Sequence, residues 1–322
     1  MPADKALKWQ LDLARYDAAT RRRLLAMLAQ MDRELLAQLN AGTLTDWGRA
    51  RIDTLLAQAK QVVGRYYRQA QQDMFADLKA LAPVAAASAV IAEVVPSLPT
   101  QAALDALLSD VIIMGTPQRA WWERQALDVA FRFTAAVRQG YIAAETNQQI
   151  IRRVRGELDV SRRNAAALVQ TSVSSVANTA RMATFEANAD VVQGVRWMAT
   201  LDAHTCARCG AMDGSTWKLD GTPINAMRPM QQPPIHFNDR CVMAPITRFS
   251  TMGDGKRASD AGPVDRKITF EDFLSRQTEA YKIEVLGKGR AELWKDGKIT
   301  LADLTSGTGR PLTLDQLRSK YE

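Results

Sequence analysis

The chain has few cysteines and histidines, no long apolar run and no internal repeat. Only three cysteines and two histidines occur among its 322 residues. Three cysteines are too few for the disulfide framework of a small secreted domain. The longest apolar stretch, residues 81–92, contains Pro83 and is well short of the roughly 20 residues of a bilayer span. The first 15 residues carry several charges and no apolar run, so we expect a chain that is neither exported nor membrane-spanning.

The overall charge is moderately basic. Lys and Arg total 42 and Asp and Glu total 35, which gives a formal net charge of +7. Such an excess suits a nucleic-acid or acidic-protein neighbour, but the basic residues are spread along the chain. The short basic runs at residues 21–23, 152–155 and 162–163 are more typical of solvated helix faces than of phosphate-binding sites.

All five cysteines and histidines lie in one short segment, between positions 204 and 241. Clustering this tight indicates a shared cause. The spacing predicts a metal site with four ligands: Cys206, Cys209, His236 and Cys241. Zinc prefers four sulfur or nitrogen ligands in a tetrahedron, and a two-residue gap lets both thiolates of a tight turn face one ion. Three thiolates and one imidazole leave no open coordination position, so the predicted zinc site is structural and not catalytic.

Two turns are expected to bring these ligands together. Gly210 directly follows the second cysteine and supplies the permissive backbone that such a turn needs. Residues 237–240 have the polar composition of a second turn. We expect His204 to be a turn or outer-sphere residue and not a fifth ligand, and Asp202 to hydrogen-bond the first turn.

Three other interpretations of this segment carry less weight. A redox Cys-x-x-Cys pair would sit at a helix start after a strand and would need neither His236 nor Cys241. The Gly, Asp and Pro content after Cys209 argues against that helix. A nuclease of the His-Asn-His type would need more histidines than remain once His236 binds metal. A Cys-His catalytic dyad is possible in principle, but no activating group is visible.

The segment around the ligands predicts little core of its own. Residues 210–245 are rich in Gly, Pro and Asp, and their few large apolar anchors include Trp217 and Phe237. Structural zinc contributes roughly 10–16 kcal/mol in small metallo-domains, comparable to the net stability of a whole domain. We therefore expect the metal to replace a missing core here.

Helical apolar periodicity covers much of the chain before residue 189. It predicts helices over 46–81 and 101–114, an Ala-rich buried helix within 83–96, a helix over 145–155 that Gly156 ends, and a long helix over 161–188. The clearest helix carries an apolar stripe of Leu127, Ala130, Phe131, Thr134, Val137 and Tyr141. Trp121 and Trp122 near its start are expected in the core, and residues 171–175 are a Ser/Thr cluster expected to serve packing.

After residue 188 the pattern changes. Val195, Trp197, Ala199 and Leu201 alternate with polar or less apolar residues, which predicts a strand that leads into the cysteine turn. Residues 249–265 read as a linker, and 253–256 lack the upstream glycine and the following Ser/Thr of a phosphate-binding loop. Helices are expected from Thr269 and after Thr313, where Thr313 and Gln316 have capping-box spacing.

These patterns predict a mainly α fold, with an N-terminal and central helical bundle, a small α+β zinc-knuckle lobe and a short C-terminal tail. The predicted segments are an N-terminal helical region at 1–100, a central helical domain at 101–188, a strand with the Cys/His lobe at 189–250, and a linker with a helical tail at 251–322.

Several of these segments also match a known family pattern. The most specific block is residues 197–209, followed by Asp213-Gly214, residues 233–236 and Cys241. The long helix (residues 163–188), the segment around Trp121-Trp122 and residues 131–133, and tail segments at 286–290, 297–299 and 311–314 fit the same pattern. Over roughly residues 105–322 the chain resembles the phage Mu F-type minor head proteins, also called head-morphogenesis proteins. That family's pattern often ends in His-Pro-x-Cys-Arg-Cys, whereas this chain keeps one His and one Cys with a longer gap.

The resemblance implies a minor capsid protein of a tailed bacteriophage. Its implied place is the virion near the portal vertex, and the host cytoplasm during assembly. Its implied partners are the portal protein or the major capsid protein, with sequence-independent contact to packaged DNA and no membrane. Its implied role is support of head assembly and of DNA packaging or ejection. Some relatives carry a fused C-terminal toxin enzyme, but the roughly 70 residues after the linker are too few for a typical catalytic domain.

Three functions follow as hypotheses. The first is a non-enzymatic assembly protein of the phage head. The second is a zinc-dependent nucleic-acid-binding protein that acts outside the virion; reading bases would require an exposed helix after the second ligand pair, and residues 242–247 do not resemble one. The third is a nuclease or effector enzyme, for which no free acid and base are visible beside an open metal.

Overall fold

The computed structural model describes residues 2–41, 49–89, 91, 94–109, 111–249 and 256–321. Over these ranges the chain forms ten α-helices and three small antiparallel sheets, which confirms the mainly α fold class. The contacts divide the chain into two units. We call Arg15–Ala80 with Leu108–Val173 the helical unit, and Met1–Ala14 with Leu81–Leu107 and Ser174–Glu322 the Cys/His unit. The four-segment division expected from the sequence stays a prediction.

The helical unit consists mainly of segments of four long helices: α1 (Pro2–Asn40), α2 (Arg49–Ala87), α4 (Gln118–Ile142) and α5 (Asn147–Glu186). On α1 the buried residues follow helical spacing: Leu24, Leu28, Met31 and Leu35. Ion pairs of Arg23 with Asp77 and of Arg65 with Glu34 join α1 to α2 in opposite chain directions. The two helices therefore pack antiparallel, with one apolar stripe of each helix in the core.

Helix α4 buries a different face from the one its sequence predicts. Leu127 and Phe131 of the predicted stripe are 73% and 71% exposed, whereas Trp122, Val129 and Phe133 outside it are buried. Val137 is the one member of the predicted stripe that is buried. Two apolar stripes run along this helix, and only the second faces the core. The expectation that Trp122 is in the core is confirmed, and the indole nitrogen of the half-buried Trp121 donates to the carbonyl of Ile113 at 2.8 Å.

The helix that precedes α4 is shorter than the predicted helix over residues 101–114. Helix α3 (Gln101–Ser109) stops early, and β1 (Ile112–Ile113) pairs with β2 (Thr116–Pro117) as a small hairpin. Met114 and Gly115 both have positive φ at its tip, a conformation that glycine adopts freely. The Ala-rich stretch continues α2 to Ala87 and forms no separate helix in the described residues.

Helix α5 is one continuous helix where two were predicted. Gly156 lies inside it, because a single glycine costs only about 1 kcal/mol and does not stop a helix that packs well. The Ser/Thr cluster on α5 is buried, and the hydroxyls of Thr171 and Ser172 donate to the carbonyls of Ala167 and Leu168. These internal bonds confirm the packing interpretation.

A three-stranded sheet holds the centre of the Cys/His unit. Strand β3 (Val192–Met198) lies between β4 (Thr216–Trp217) and β5 (Val242–Thr247), antiparallel to both. Its Trp197 pairs with Met243, and its Val195 pairs with Trp217. Both tryptophans are fully buried in one apolar cluster, which includes Phe185, Cys209 and Cys241. The expectation of a lobe without a core is therefore wrong, because long-range pairing gathers apolar residues that are sparse along the sequence.

The remaining elements of this unit are short. They are α6 (Ala207–Met212), β6 (Lys256–Arg257), β7 (Val264–Asp265), α7 (Phe270–Ser275), α8 (Glu279–Leu286), α9 (Lys288–Lys295), a 3-10 turn (Ala302–Leu304) and α10 (Leu314–Tyr321). A second apolar cluster joins them, with Phe270, Leu286 and Leu317 at its centre. Thr269 caps α7 through a complete capping box, and Thr313 exchanges hydrogen bonds with Gln316 at the start of α10. Both predicted helix starts are confirmed.

Residues 250–255 of the expected linker lie outside the described residues. They include most of segment 253–256, which lacks the sequence pattern of a phosphate-binding loop. The rest of that linker contributes the small pair of strands β6 and β7. None of the described helices combines the length with the apolar composition that a bilayer span needs.

Candidate metal centre

The first ligand pair follows a tight turn at the end of β3. Asp202 organises this turn, because its carboxylate accepts from the backbone nitrogen of His204 at 3.0 Å and from Arg240 Nη2 at 2.8 Å. Cys206 then caps the N-terminus of α6, and its sulfur accepts from the backbone nitrogen of Cys209 at 3.5 Å. The turn therefore points Cys206 and Cys209 toward the same side.

Two expectations about this pair are corrected. The short helix α6 does follow the strand and does start at Cys206, so the absence of a helix is no argument against a redox pair. Gly210 lies inside α6 and not in a turn. A side chain there would meet the ring of Phe270 at 2.5 Å, so the glycine is needed for close packing.

The second ligand pair flanks a turn at residues 236–239, as its composition predicts. Asn238 has φ +63°, and the backbone nitrogen of Asp239 donates to the carbonyl of His236 at 3.2 Å. The buried carboxylate of Asp239 accepts from the backbone nitrogens of Ile235 and Cys241, both at 2.8 Å. Asp239 therefore fixes the loop that carries His236 and Cys241.

The predicted ligands meet in two overlapping groups. The donor atoms of Cys206, Cys209 and His236 all lie within 4.8 Å of one another, and so do those of Cys209, Asp239 and Cys241. Both Cys206 Sγ and Cys209 Sγ are 3.1 Å from His236 Nε2. Cys209 belongs to both groups and is the centre of the cluster. The full four-ligand set stays a prediction.

His236 is oriented as a metal ligand requires. Its Nδ1 lies 2.7 Å from the carbonyl oxygen of Phe237, so this nitrogen carries the proton and donates. Nε2 then faces the two sulfurs. Metal-binding histidines in proteins are usually held in this way by a carbonyl or a carboxylate.

Of the three cysteines, only Cys206 has a lowered pKa, and those of Cys209 and Cys241 are raised. The hydrogen bond from Cys209, with help from His236, lowers the pKa of Cys206 to about 4. The hydrogen bond with Cys206 raises the pKa of His236 to about 9. Burial raises the pKa of Cys241 to about 12, and the hydrogen bonds with Cys206 and Cys241 raise the pKa of Cys209. Three thiols so close together cannot all ionise on their own, and a bound divalent ion removes that penalty.

The geometry therefore fits a metal ion. Zinc with sulfur bonds near 2.3 Å and nitrogen bonds near 2.0 Å places its tetrahedral ligand atoms roughly 3.5–3.8 Å apart. The cluster of Cys206, Cys209 and His236 is close to that spacing and could hold a metal ion. His204 is exposed and forms no part of either group found among the described residues.

Two supporting residues were missed by sequence reasoning. The amide of Asn178 on α5 donates to the carbonyl of Cys241 at 3.1 Å and accepts from the backbone nitrogen of Met243 at 3.2 Å. It therefore anchors the last predicted ligand to the long helix. No local pattern distinguishes Asn178 from other polar residues of α5, whereas the turn composition around Asp239 was a usable signal.

The buried pair of Asp213 and Arg257 was also missed. Asp213 accepts two hydrogen bonds from Arg257, at 2.9 and 3.0 Å, and one each from the backbone nitrogens of Ala199 and Phe270, both at 2.7 Å. Both side chains are almost fully buried. This network joins the end of β3, α6, β6 and α7, so it holds the first ligand pair against the C-terminal elements.

The chain is therefore mainly helical, with a small α+β lobe that carries a cluster of cysteine and histidine side chains. Residues 132–244 match the family model described as Phage Mu protein F like protein. The match covers about a third of the chain and confirms, over that segment, the resemblance to the phage Mu F-like head-morphogenesis proteins. Neither the curated proteins nor the solved structures give a significant match.

Proposed function

We propose that the chain is a non-enzymatic assembly protein of a tailed-phage virion. In this role it binds the portal protein or the major capsid protein at the portal vertex and supports head assembly and DNA packaging or ejection. The family match carries this proposal, because the matched segment contains the whole Cys/His cluster. It also contains all of α5 and β3 and the first half of β5, which position the cluster.

The proposed metal is one structural zinc held by Cys206, Cys209, His236 and Cys241. Sulfur and imidazole ligands suit zinc better than the oxygen-preferring magnesium or calcium. Four protein ligands leave no position for a substrate or a reactive water. When bound, the ion stabilises the two turns that carry its ligands.

The same residues support a role without catalysis. His236 faces the sulfurs, and Asp202 is occupied by Arg240 and the cysteine turn. Neither group is free to act as an acid or a base on a substrate. A nucleic-acid-binding regulator acting outside the virion has less support, because the strand β5 follows Cys241 where a base-reading helix would be needed.

Co-sedimentation tests the assembly role. The full chain should sediment with purified capsids or portal complexes and should remain bound after a salt wash. Recovery in the soluble fraction alone, with nanomolar sequence-selective DNA binding, would instead favour the regulator. Metal-dependent DNA cleavage that is lost in Asp202→Asn would favour an enzyme.

Metal analysis tests the zinc site, and the two histidines form a matched pair. After purification under reducing, chelator-free conditions we expect about one zinc per chain. His236→Ala should lose most of the zinc, whereas His204→Ala should keep it because His204 is exposed and outside the cluster. If the wild-type protein contains no zinc, the metal proposal is wrong. The assembly role would still be decided separately, by the co-sedimentation experiment.

A further inference from the structure

Among the described residues of the Cys/His unit, three arginines have guanidinium groups without a hydrogen-bonded acidic partner. The guanidinium groups of Arg181, Arg196 and Arg266 make no hydrogen bond or ion pair with any residue that the structure describes, and the Nε atoms of Arg181 and Arg196 are buried. Arg181 is 6% exposed and lies against the rings of Trp9 and Phe185. Buried donors normally have partners, so these groups need an explanation.

These arginines also act on one another. Burial, together with the charge of Arg266, lowers the pKa of Arg181 to about 10. Burial and the charges of Arg196 and Arg257 lower the pKa of Arg266. A fourth arginine, Arg257, is paired with Asp213. Asp213 attracts Arg196 as well as pairing with Arg257. One carboxylate does not balance these four arginines, so an anion would stabilise the region.

Of these arginines, Arg196 lines a pocket of about 360 Å³. Ser215, Thr269 and Asn225 line the same pocket. The Asn225 side-chain oxygen is taken by the backbone nitrogen and the hydroxyl of Thr216, which leaves its amide nitrogen free to donate to a ligand. A side chain in place of Gly214 would lie 3.4 Å from Arg196 Nη2, so the glycine keeps the approach to the guanidinium open.

The acidic groups of the pocket already have donors. Asp213 accepts from Arg257 and two backbone nitrogens. Glu271 Oε1 accepts from the Trp294 indole at 2.9 Å and from the backbone nitrogen of Leu301 at 3.2 Å. Arg228, also in the lining, adds a further positive charge, although its guanidinium donates to the carbonyls of residues 302, 305 and 306.

We propose that this pocket binds a phosphate group, with Arg196 as its principal donor and Ser215 and Asn225 completing the contacts. A phosphate offers several acceptor oxygens and up to two negative charges. It therefore matches a guanidinium fork surrounded by hydroxyl and amide donors better than a carboxylate does. The inference goes beyond the assembly role and is independent of the metal, since none of these residues is a proposed ligand.

The basic runs in the sequence are poorer candidates. Arg23, Arg153 and Arg162 each pair with a carboxylate: Asp77, Glu145 and Asp32, respectively. Arg152 is exposed on α5 and serves as the matched control, since Arg152→Gln and Arg196→Gln remove the same charge.

The test measures binding of two probes to the full chain: inorganic phosphate by calorimetry and a fluorescent single-stranded DNA by anisotropy. Arg196→Gln should lower the affinity for whichever probe the wild type binds by about tenfold. For DNA it should also reduce the slope of log affinity against log salt concentration by about one. Arg152→Gln should leave both nearly unchanged. If the protein binds phosphate but not DNA, the ligand is a small phosphate compound. If it binds DNA and phosphate displaces that DNA, the ligand is a phosphate of the nucleic-acid backbone.

Three results would overturn the proposal: no binding of either probe by wild type, equal binding by Arg196→Gln, or displacement of phosphate by glutamate at matched ionic strength. Arg266→Gln provides a second variant in case Arg196→Gln fails to fold. It should weaken binding in the same direction, and unchanged binding in that variant would also count against the site.

Discussion

The helical unit and the Cys/His unit bury their polar groups in different ways. The helical unit buries apolar stripes that repeat along single helices, such as Leu24, Leu28 and Leu35, and its ion pairs are mostly exposed. The Cys/His unit buries Cys209, Cys241 and the pair of Asp213 with Arg257 beside its tryptophans. The first unit is specified by local periodicity, whereas the second depends on polar contacts between distant parts of the chain.

The largest expected effect comes from Cys209→Ser, because Cys209 belongs to both groups of donor atoms. We expect loss of the metal and a fall on the order of 5 kcal/mol in the stability of the Cys/His unit. Hydrogen exchange should speed up in β3, α6 and β5, while residues 15–40 of α1 stay protected. Equal loss of protection in both units would contradict the comparison.

Arg257→Met should have the next largest effect. It leaves the carboxylate of Asp213 buried without its cation, which typically costs about 3–5 kcal/mol. Urea unfolding of the single variant and of Arg257→Met with Asp213→Asn measures the coupling. The double variant should lose less than the sum of the single changes, and strict additivity would show that the pair does not act as a unit.

Asp32 should make the helical unit sensitive to pH. Burial raises the pKa of Asp32 to about 6, although Arg162 opposes the shift. A raised carboxyl pKa means that this group's contribution to stability is greatest below about pH 4 and is lost as pH rises through 6. Relative to wild type, Asp32→Asn should therefore gain up to about 2 kcal/mol in unfolding free energy between pH 4 and pH 7.

The control for Asp32 is Asp159→Asn, which removes the more exposed of the two carboxylates that contact Arg162. Denaturant titrations at several pH values give the comparison directly. If the difference between Asp32→Asn and wild type does not change with pH, the burial of Asp32 is not the cause of any pH dependence.

The smallest effect is expected at Leu127. Because this side chain is 73% exposed, Leu127→Ala should change the unfolding free energy by less than about 0.5 kcal/mol. The matched change Val137→Ala, at a fully buried position of the same helix, should cost about 1–3 kcal/mol. A large loss at Leu127 would mean that the exposed stripe of α4 is packed in solution.

Much of the helical unit could be predicted because its signals are local. The errors there are also local ones: α4 carries two apolar stripes, and nothing in its periodicity says which one faces the core. Gly156 looked like an end of a helix, but packing on both sides of it keeps α5 continuous. Helix ends with capping chemistry, at Thr269 and Thr313, were predicted correctly.

The sequence indicated the clustered cysteines and histidine of the candidate site and its two turns, but not its long-range supports; the four-ligand set stays a prediction. Scarce residues concentrated in one segment identified Cys206, Cys209, His236 and Cys241, and the structure brings them into two overlapping groups. Their supports were not predictable, because Asn178 lies 63 residues from Cys241 and Arg257 lies 44 residues from Asp213. Such partners become visible only when the chain is folded.

The packing of Phe270 against Gly210 has a practical consequence for dissecting this protein. The family match ends at residue 244, but the ring that covers α6 and the guanidinium that neutralises Asp213 both lie beyond it. A fragment cut at that boundary would expose the helix of the first two cysteines and leave an uncompensated carboxylate inside it. The smallest autonomous piece carrying the cluster must therefore extend at least through α7, well past the limits that sequence similarity draws.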